Sequence, residues 1–442
     1  MINLRVPSTI GASMQIKDAT SLSPFETGVE YASPARGTWT IAHTAMLVPQ
    51  SHQIFVCARG CLRGVVLSAA EMNKMDRFSM ITIEEKNVMQ GDMEELIIEG
   101  TTNIINGLHY KPRAIMLFTS CVHHFVNADL PMVYRILSER FPDIDFVDCY
   151  MNPIMRKSKL TPDAKMRQQL YHALKPMIKN PKSINIIGNN EATSQKSELI
   201  IMLKNAGYTV RDICNCKDYE EYLQMAESVL NISFHPAVKA CGDELERRLN
   251  QKHLYLPFSF DYNEIRSMLT ELAQICDIAV PNFDECENKA EQALKDAAKI
   301  IGDMPLAIDF SATTRPLGLA RLLLKHGFNV KTIYCDSFLI EEQNDFNWLK
   351  ENAPSLVISA IVNYKMGVLP RNEAAKYNGK LLAIGQKAAY YTGTDYFVNI
   401  IENGGFYGFD AIVSLSKLMI EAAQIPKDTS KIIQVKAWGC CG

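Results

Sequence analysis

The 442-residue sequence contains no G-x-x-x-x-G-K-[ST] motif, and so has no evident phosphate cradle for ATP. It also lacks G-x-G-x-x-G, which argues against a nicotinamide-dependent dehydrogenase. Neither the H-E-x-x-H of helical zinc sites nor the G-x-S-x-G nucleophile elbow of α/β-hydrolases occurs. No 18-residue stretch is free of charged and turn residues, so no membrane span is expected. Charge of one sign is not in excess either: 46 basic and 49 acidic residues leave a net charge of −3. Such a chain offers no electrostatic footprint for a phosphate backbone, and no nucleic-acid partner is expected. Met1 to Asp18 lacks the basic-then-apolar layout of a secretory signal, and a cytoplasmic protein is expected. There is no low-complexity segment. What is present is ordinary globular composition, 47% hydrophobic and 21% charged, with ample core.

Short apolar runs bounded by turn signals alternate with amphipathic stretches. Strands are expected at Ile184–Gly188, Leu306–Phe310, Leu356–Val362 and Leu381–Gly385. Helices are expected at Ser197–Ala206 and Leu317–His326, the latter stopped by Gly327. This alternation predicts an α/β fold of mainly parallel sheets flanked by helices. Breaks near Lys179-Asn-Pro-Lys-Ser and Ile301-Gly-Asp-Met-Pro divide it into three Rossmann-like domains, residues 1–180, 181–300 and 301–442. The first 50 residues read as irregular chain wrapping a neighbour.

Twelve cysteines are the unusual feature. Without a secretion signal, metal or redox use is favoured over a disulfide framework. Cys241, Cys276, Cys286 and Cys335 read as buried hydrophobes. Cys214 and Cys216 have no second pair at zinc-finger spacing. Three others differ. Cys57 and Cys61 lie where an apolar run breaks into a glycine-containing turn, ahead of a helix-like segment at Val65 to Met75. Cys121 ends the buried strand that starts at Arg113, followed by His123 and His124. Asp145-Phe-Val-Asp-Cys149-Tyr repeats that layout. Thiols at strand C-termini sit where open α/β sheets bind ligands, and several such loops can supply an iron–sulfur cluster. The other reading is a set of buried thiols.

Several segments together resemble the nitrogenase component 1 superfamily. Cys57-Ala-Arg-Gly-Cys61, after Ser51-His-Gln, is similar to that family's H-G-x-x-G-C loop. Thr119-Ser-Cys121 with Asn127-Ala-Asp129 resembles its second cluster cysteine and the helix start that follows. Asp309-Phe-Ser-Ala-Thr-Thr-Arg315-Pro316 is similar to the loop opening its third domain, and Gly404-Gly-Phe-Tyr407-Gly-Phe-Asp410 to its late Y-H-G-F-D-G segment. With Leu256-Pro-Phe-Ser, these anchors span residues 33 to 423. Departures are equally informative. The middle-domain match, Asn231-Ile-Ser-Phe-His235-Pro, has no cysteine, and Tyr407 stands at the late histidine position. An iron–molybdenum-type cofactor held in the family's usual way is therefore not expected.

The resemblance implies two or three cysteines per subunit, Cys57, Cys61 and Cys121, holding a [4Fe–4S] cluster at a two-fold interface, with Asp148 or Cys149 as a further ligand. It implies a homodimer or a heterodimer with a paralogous subunit. A separate ATP-dependent iron–sulfur reductase would supply low-potential electrons, which accounts for the missing phosphate loop. A small-molecule or tetrapyrrole-type substrate, or a larger cluster or second metallocofactor, would sit near His235, Arg315 and Tyr407. Each of these has a plainer reading: a satisfied histidine, a structural ion pair, aromatic packing. His123 and His124 read as donors around the cluster, and Arg156 and Lys157 as a solvated basic turn. Cys440 and Cys441, vicinal thiols near the end of the sequence, are reactive in type but their role stays open. The alternative function is a maturation scaffold carrying a precursor cluster.

Overall fold

A computed structural model describes residues 10–26, 28–35, 37–152 and 160–429. Fourteen strands form three sheets among these residues. Strand β1 (Ser13–Gln15) pairs antiparallel with a much later strand; β2 (Ser51–Cys57), β3 (Phe78–Thr82), β4 (Ala114–Ser120) and β5 (Asp145–Met151) form a parallel sheet in the order β3-β2-β4-β5. Next come β6 (Ser183–Ile186), β7 (Thr209–Asp212), β8 (Leu230–Ser233) and β9 (Lys252–Tyr255), parallel in the order β7-β6-β8-β9. The third sheet is β1-β12-β11-β10-β13-β14, built from β10 (Pro305–Asp309), β11 (Asn329–Tyr334), β12 (Val357–Ser359), β13 (Leu382–Ile384) and β14 (Phe397–Val398). The expected α/β class with mainly parallel, helix-flanked sheets is what is found.

Two compact units contain these sheets. One comprises Trp39–Ala192 and Leu203–Pro257 and holds the first two sheets; the other comprises residues up to Thr38, Thr193–Met202 and those from Phe258 on, and holds the third.

In the first unit, every residue of β2 and β4 is buried, the mark of central parallel strands covered on both faces. Ile54, Val56, Ile115 and Leu117 face the helices Met93–Gly107 and Leu130–Arg140. Their neighbours Phe55, Phe118 and Cys149 face the other way, into a core that continues to Ile187, Tyr222 and Val238 around the second sheet. Phe55 and Phe118 stack with centroids 4.2 Å apart.

In the second unit, the N-terminal segment is not a free wrap. β1 pairs with β12, Tyr31 N–H donates to Val362 O at 2.7 Å, and the Tyr31 and Tyr390 hydroxyls lie 3.0 Å apart. The helix Pro316–Lys325 starts with proline, whose fixed φ suits a first turn, and stops before Gly327 at φ +81°.

Candidate functional site: a thiol-bearing sheet edge

In the sheet β3-β2-β4-β5 the chain runs outward from β2 to β3 on one side, and through β4 to β5 on the other. The connections therefore diverge between β2 and β4, and a crevice opens there beyond the carboxyl ends of the strands. Val56 pairs with Thr119, so Cys57 ends β2 level with Ser120, and Cys121 follows at once. Cys57 and Cys121 thus flank the divergence point.

Cys61 joins them from the next element. The sequence suggested a turn here and a helix from Val65; the helix instead begins at Arg59 and runs to Glu71, which places Cys61 in its first turn. Ala58, at φ −63° and ψ 150°, is the last extended residue, and neither Gly60 nor Gly64 adopts positive φ. No turn-forming backbone is needed, so the helix starts early. Likewise Ser51-His-Gln is strand, with the His52 ring between the Tyr110 hydroxyl at 2.7 Å and the Ser79 hydroxyl at 2.8 Å.

Exposure grades across the three thiols. Cys57 is buried, Cys121 half-buried and Cys61 exposed. Burial pushes the Cys57 thiol up to about 12, and the nearby charges of Cys61 and then Cys121 push it the same way. Cys57 thus lies within electrostatic reach of both other thiols. Around Cys121, the His123 ring accepts the Ser120 N–H through Nδ1 at 3.1 Å, closing the first turn of the helix Cys121–Phe125. That use fixes the strand-to-helix corner. Asp129 caps the following helix by accepting the Met132 N–H at 3.0 Å.

Cys149 lies deeper. It pairs with Phe118, two residues short of the strand end, and is wholly buried in apolar core. Burial holds its thiol well above the ordinary value. Asp148, the other suggested extra ligand, is bonded at 3.0 Å to His172 and at 3.1 Å to the Tyr150 hydroxyl. Burial alone would raise its carboxyl, but His172 and Lys165 hold it below the usual value. His172 also reaches Glu244 at 3.4 Å, and these two carboxylates lift it to about 9 against the effect of burial. Nothing in the local sequence around His172 marks this pairing, because its partners are 24 and 72 residues away.

The remaining candidates lie elsewhere. His235 follows β8 in the second sheet, and its Nδ1 accepts the Ala237 N–H at 3.1 Å. Arg315 and Tyr407 belong to the other unit. The buried Arg315 guanidinium bonds Phe258 O and Glu341 O and pairs with Glu264 at 3.2 Å and Asp345 at 3.4 Å. Tyr407 is buried, with its hydroxyl 3.7 Å from Met268 Sδ and its ring edge-to-face with Phe258. Cys214 and Cys216 direct their thiols to Asn189 O and Asp212 O. Arg156, Lys157, Cys440 and Cys441 lie outside the described residues.

The sequence profile described as nitrogenase component 1 type oxidoreductase matches residues 41–369. The chain belongs to this family. Its fold is shared by a nitrogenase Cp1 structure at pH 6.5, at TM-score 0.65 and 15% identity, covering 92% of this chain and 96% of that one. A second nitrogenase Cp1 structure, at pH 5, gives TM-score 0.62 and 12% identity over 98% and 96% of the two chains. No curated protein sequence matches the chain. The family generally binds iron–sulfur clusters, works with a separate reductase and forms oligomers. Among the described residues no helix is long and apolar enough to cross a membrane.

The thiols suit such a cluster in chemistry, since soft sulfur donors select iron–sulfur centres. Among the described residues, however, no three Cys, His, Asp or Glu side chains converge on the position of one metal ion. A cluster spreads its ligands over several irons, and sharing it between two chains divides the number that each must supply.

Proposed function

We propose that this chain is a subunit of a nitrogenase-like oxidoreductase in which Cys57, Cys61 and Cys121 hold an iron–sulfur cluster at an interface with a second chain. The observation that carries the reading is the placement of Cys57 and Cys121 on either side of the β2/β4 divergence, with Cys61 in the next helical turn. When bound, the cluster would supply one-electron transfer from a separate ATP-dependent iron–sulfur reductase toward a reducible substrate.

The chain's own residues set the conditions. Burial of Cys57 keeps water from that side, and the Ser120–His123 bond orients the helix that starts with Cys121. On the same sheet end, the exposed Cys61 is accompanied by large apolar residues that a lone surface would hide: Phe125 is 70% exposed and Met89 80%. Both follow strands of this sheet, Phe125 closing the helix after β4 and Met89 lying in the helix Glu85–Gln90 after β3. A second chain over this edge would cover them and complete the ligand set. In this reading Arg315 positions the loop after β10, Tyr407 packs the late loop, and the substrate is contacted near His235.

The test is an anaerobic dithionite titration followed by EPR. A one-electron signal present in the unaltered protein and lost in both Cys61→Ser and Cys121→Ser is expected. The same signal in both variants would overturn the assignment of these thiols.

A further inference from the structure

The unit holding the third sheet contains a cleft of about 330 Å³, unrelated to the thiols, whose walls come from four helices. Its floor is the helix Pro316–Lys325, where Gly318, Arg321 and Lys325 recur at helical spacing and span about 10 Å along the axis. Asp261 caps the helix Tyr262–Ile275 at one wall, Glu287 and Glu291 come from Asp284–Ile301, and Asp345 from Gln343–Asn352. A volume of this size is in the range that takes a small organic molecule.

The charges in the cleft are of both signs, and most are already used. Asp345 receives Arg321 at 2.9 Å on one oxygen and Arg315 at 3.4 Å on the other. His326 Nε2 lies 3.0 Å from Glu291. Arg266 takes one oxygen of Glu287 at 2.6 Å. Asp261 accepts the Asn263 and Glu264 N–H groups on Oδ1, and its Oδ2 is 3.9 Å from the nearest cation, Arg321. Outside these close pairs stand one oxygen of Glu287, Asp261 Oδ2 at its long contact to Arg321, the buried Arg321 Nε, which has no hydrogen-bond partner, and the Lys325 ammonium, which lies 5.5 Å over the Trp348 ring with no carboxylate partner among the described residues. The cleft therefore offers acceptors from two of its helices and a cation at the end of its floor. Leu322 and Phe260 add apolar surface to its lining.

We propose that this cleft binds a small zwitterion, with an ammonium group at Glu287 and Asp261 and a carboxylate at Lys325. A simple cation would leave Lys325 unanswered, and a simple anion would meet the net negative walls. A chain of several methylenes between the two charged ends suits a floor about 10 Å long and the apolar lining of Leu322 and Phe260.

The experiment is calorimetric titration of the full chain with 6-aminohexanoate, against hexanoate and hexylamine. Saturable binding of 6-aminohexanoate is expected, with each single-charge analogue weaker by about tenfold or more. Lys325→Met should weaken 6-aminohexanoate by a similar factor while leaving hexylamine unchanged, and Glu287→Gln should spare hexanoate. Asn263→Trp, at an exposed position on the cleft wall, should block all three. Absence of saturable binding at millimolar probe would overturn the site. So would an affinity that neither Lys325→Met nor Asn263→Trp changes. Hexylamine binding as tightly as 6-aminohexanoate would overturn the zwitterion.

Discussion

His172 holds Asp148 at 3.0 Å near the end of β5, and so commits to an imidazole the carboxylate that the sequence offered as a cluster ligand. The second ring nitrogen faces Glu244 at 3.4 Å, and Arg248 pairs with the same carboxylate at 3.4 Å. The first two sheets' unit is tied together here, from strand β5 to the helix Lys239–Leu249. The arrangement has a pH signature. The two carboxylates raise His172 from 6.5 to about 9 in the fold, against burial. Its stabilisation is therefore complete below pH 6.5 and is lost as pH rises through about 9. Urea unfolding should show this unit losing about 3 kcal/mol between those limits. His172→Gln should flatten that slope, and an unchanged slope would remove the imidazolium from the account.

Glu342 makes a second pH-dependent contact, in the other unit. Its carboxyl accepts the Leu317 N–H at 2.7 Å and the Gly318 N–H at 3.3 Å, capping the helix Pro316–Lys325 from a distant part of the chain. Burial lifts it to about 8, although Arg315 and the two backbone donors favour the charged form. A carboxyl raised from 4.5 stabilises fully below that value and loses its contribution as pH rises through 8. Glu342→Gln keeps an acceptor for Leu317 and Gly318 and cannot ionise. It should gain on the unaltered protein by roughly 4 kcal/mol above pH 8 and lose most of that advantage near pH 5, read from thermal unfolding at the two pH values.

Two glycines make opposite predictions. Gly385 follows β13 at φ +106°, and a Cβ there would sit 2.2 Å from the Asp309 carboxylate. Asp309 in turn accepts the Ala388 N–H at 2.8 Å, so it has nowhere cheap to go. Gly385→Ala should cost about 3 kcal/mol or more. Gly64, inside the helix Arg59–Glu71, has open space around its Cβ position. Gly64→Ala should stabilise by about 0.5–1 kcal/mol. Denaturant midpoints of the two variants check both, and a destabilising Gly64→Ala would mean that the early helix start at Arg59 is misplaced.

The Phe55–Phe118 stack sits directly beneath the thiol edge, two residues inside it on both strands. Phe118→Ala should cost about 3–5 kcal/mol through the cavity left behind. Hydrogen exchange should show the loss in β2 and β4 before the second sheet; uniform loss across both sheets would contradict a core layered in this way.

The sequence revealed what depends on local pattern. Buried strands at Arg113–Cys121 and Leu306–Phe310 and the helix stopped by Gly327 were legible from apolar runs and turn residues, because parallel strands and capped helices carry period and punctuation in the chain. The position of Cys61 was legible only in part. A glycine-rich stretch reads as a turn, and nothing local shows that Gly60 and Gly64 keep helical backbone. Pairings across long separations were not legible at all: β1 with β12, His172 with Glu244, Glu342 with Leu317. Arg315 illustrates the same limit, since the four groups it holds come from two distant stretches, 258–264 and 341–345, that no motif joins.

The central claim is that Cys57, Cys61 and Cys121 hold a cluster shared between two chains, and iron with acid-labile sulfide per chain, measured on protein purified without oxygen, tests it most directly. The account predicts about two irons and two sulfides per chain, as for one [4Fe–4S] centre between two copies, falling to background in Cys121→Ser. Protein without iron, or an iron content that Cys61→Ser and Cys121→Ser both leave intact, would contradict it.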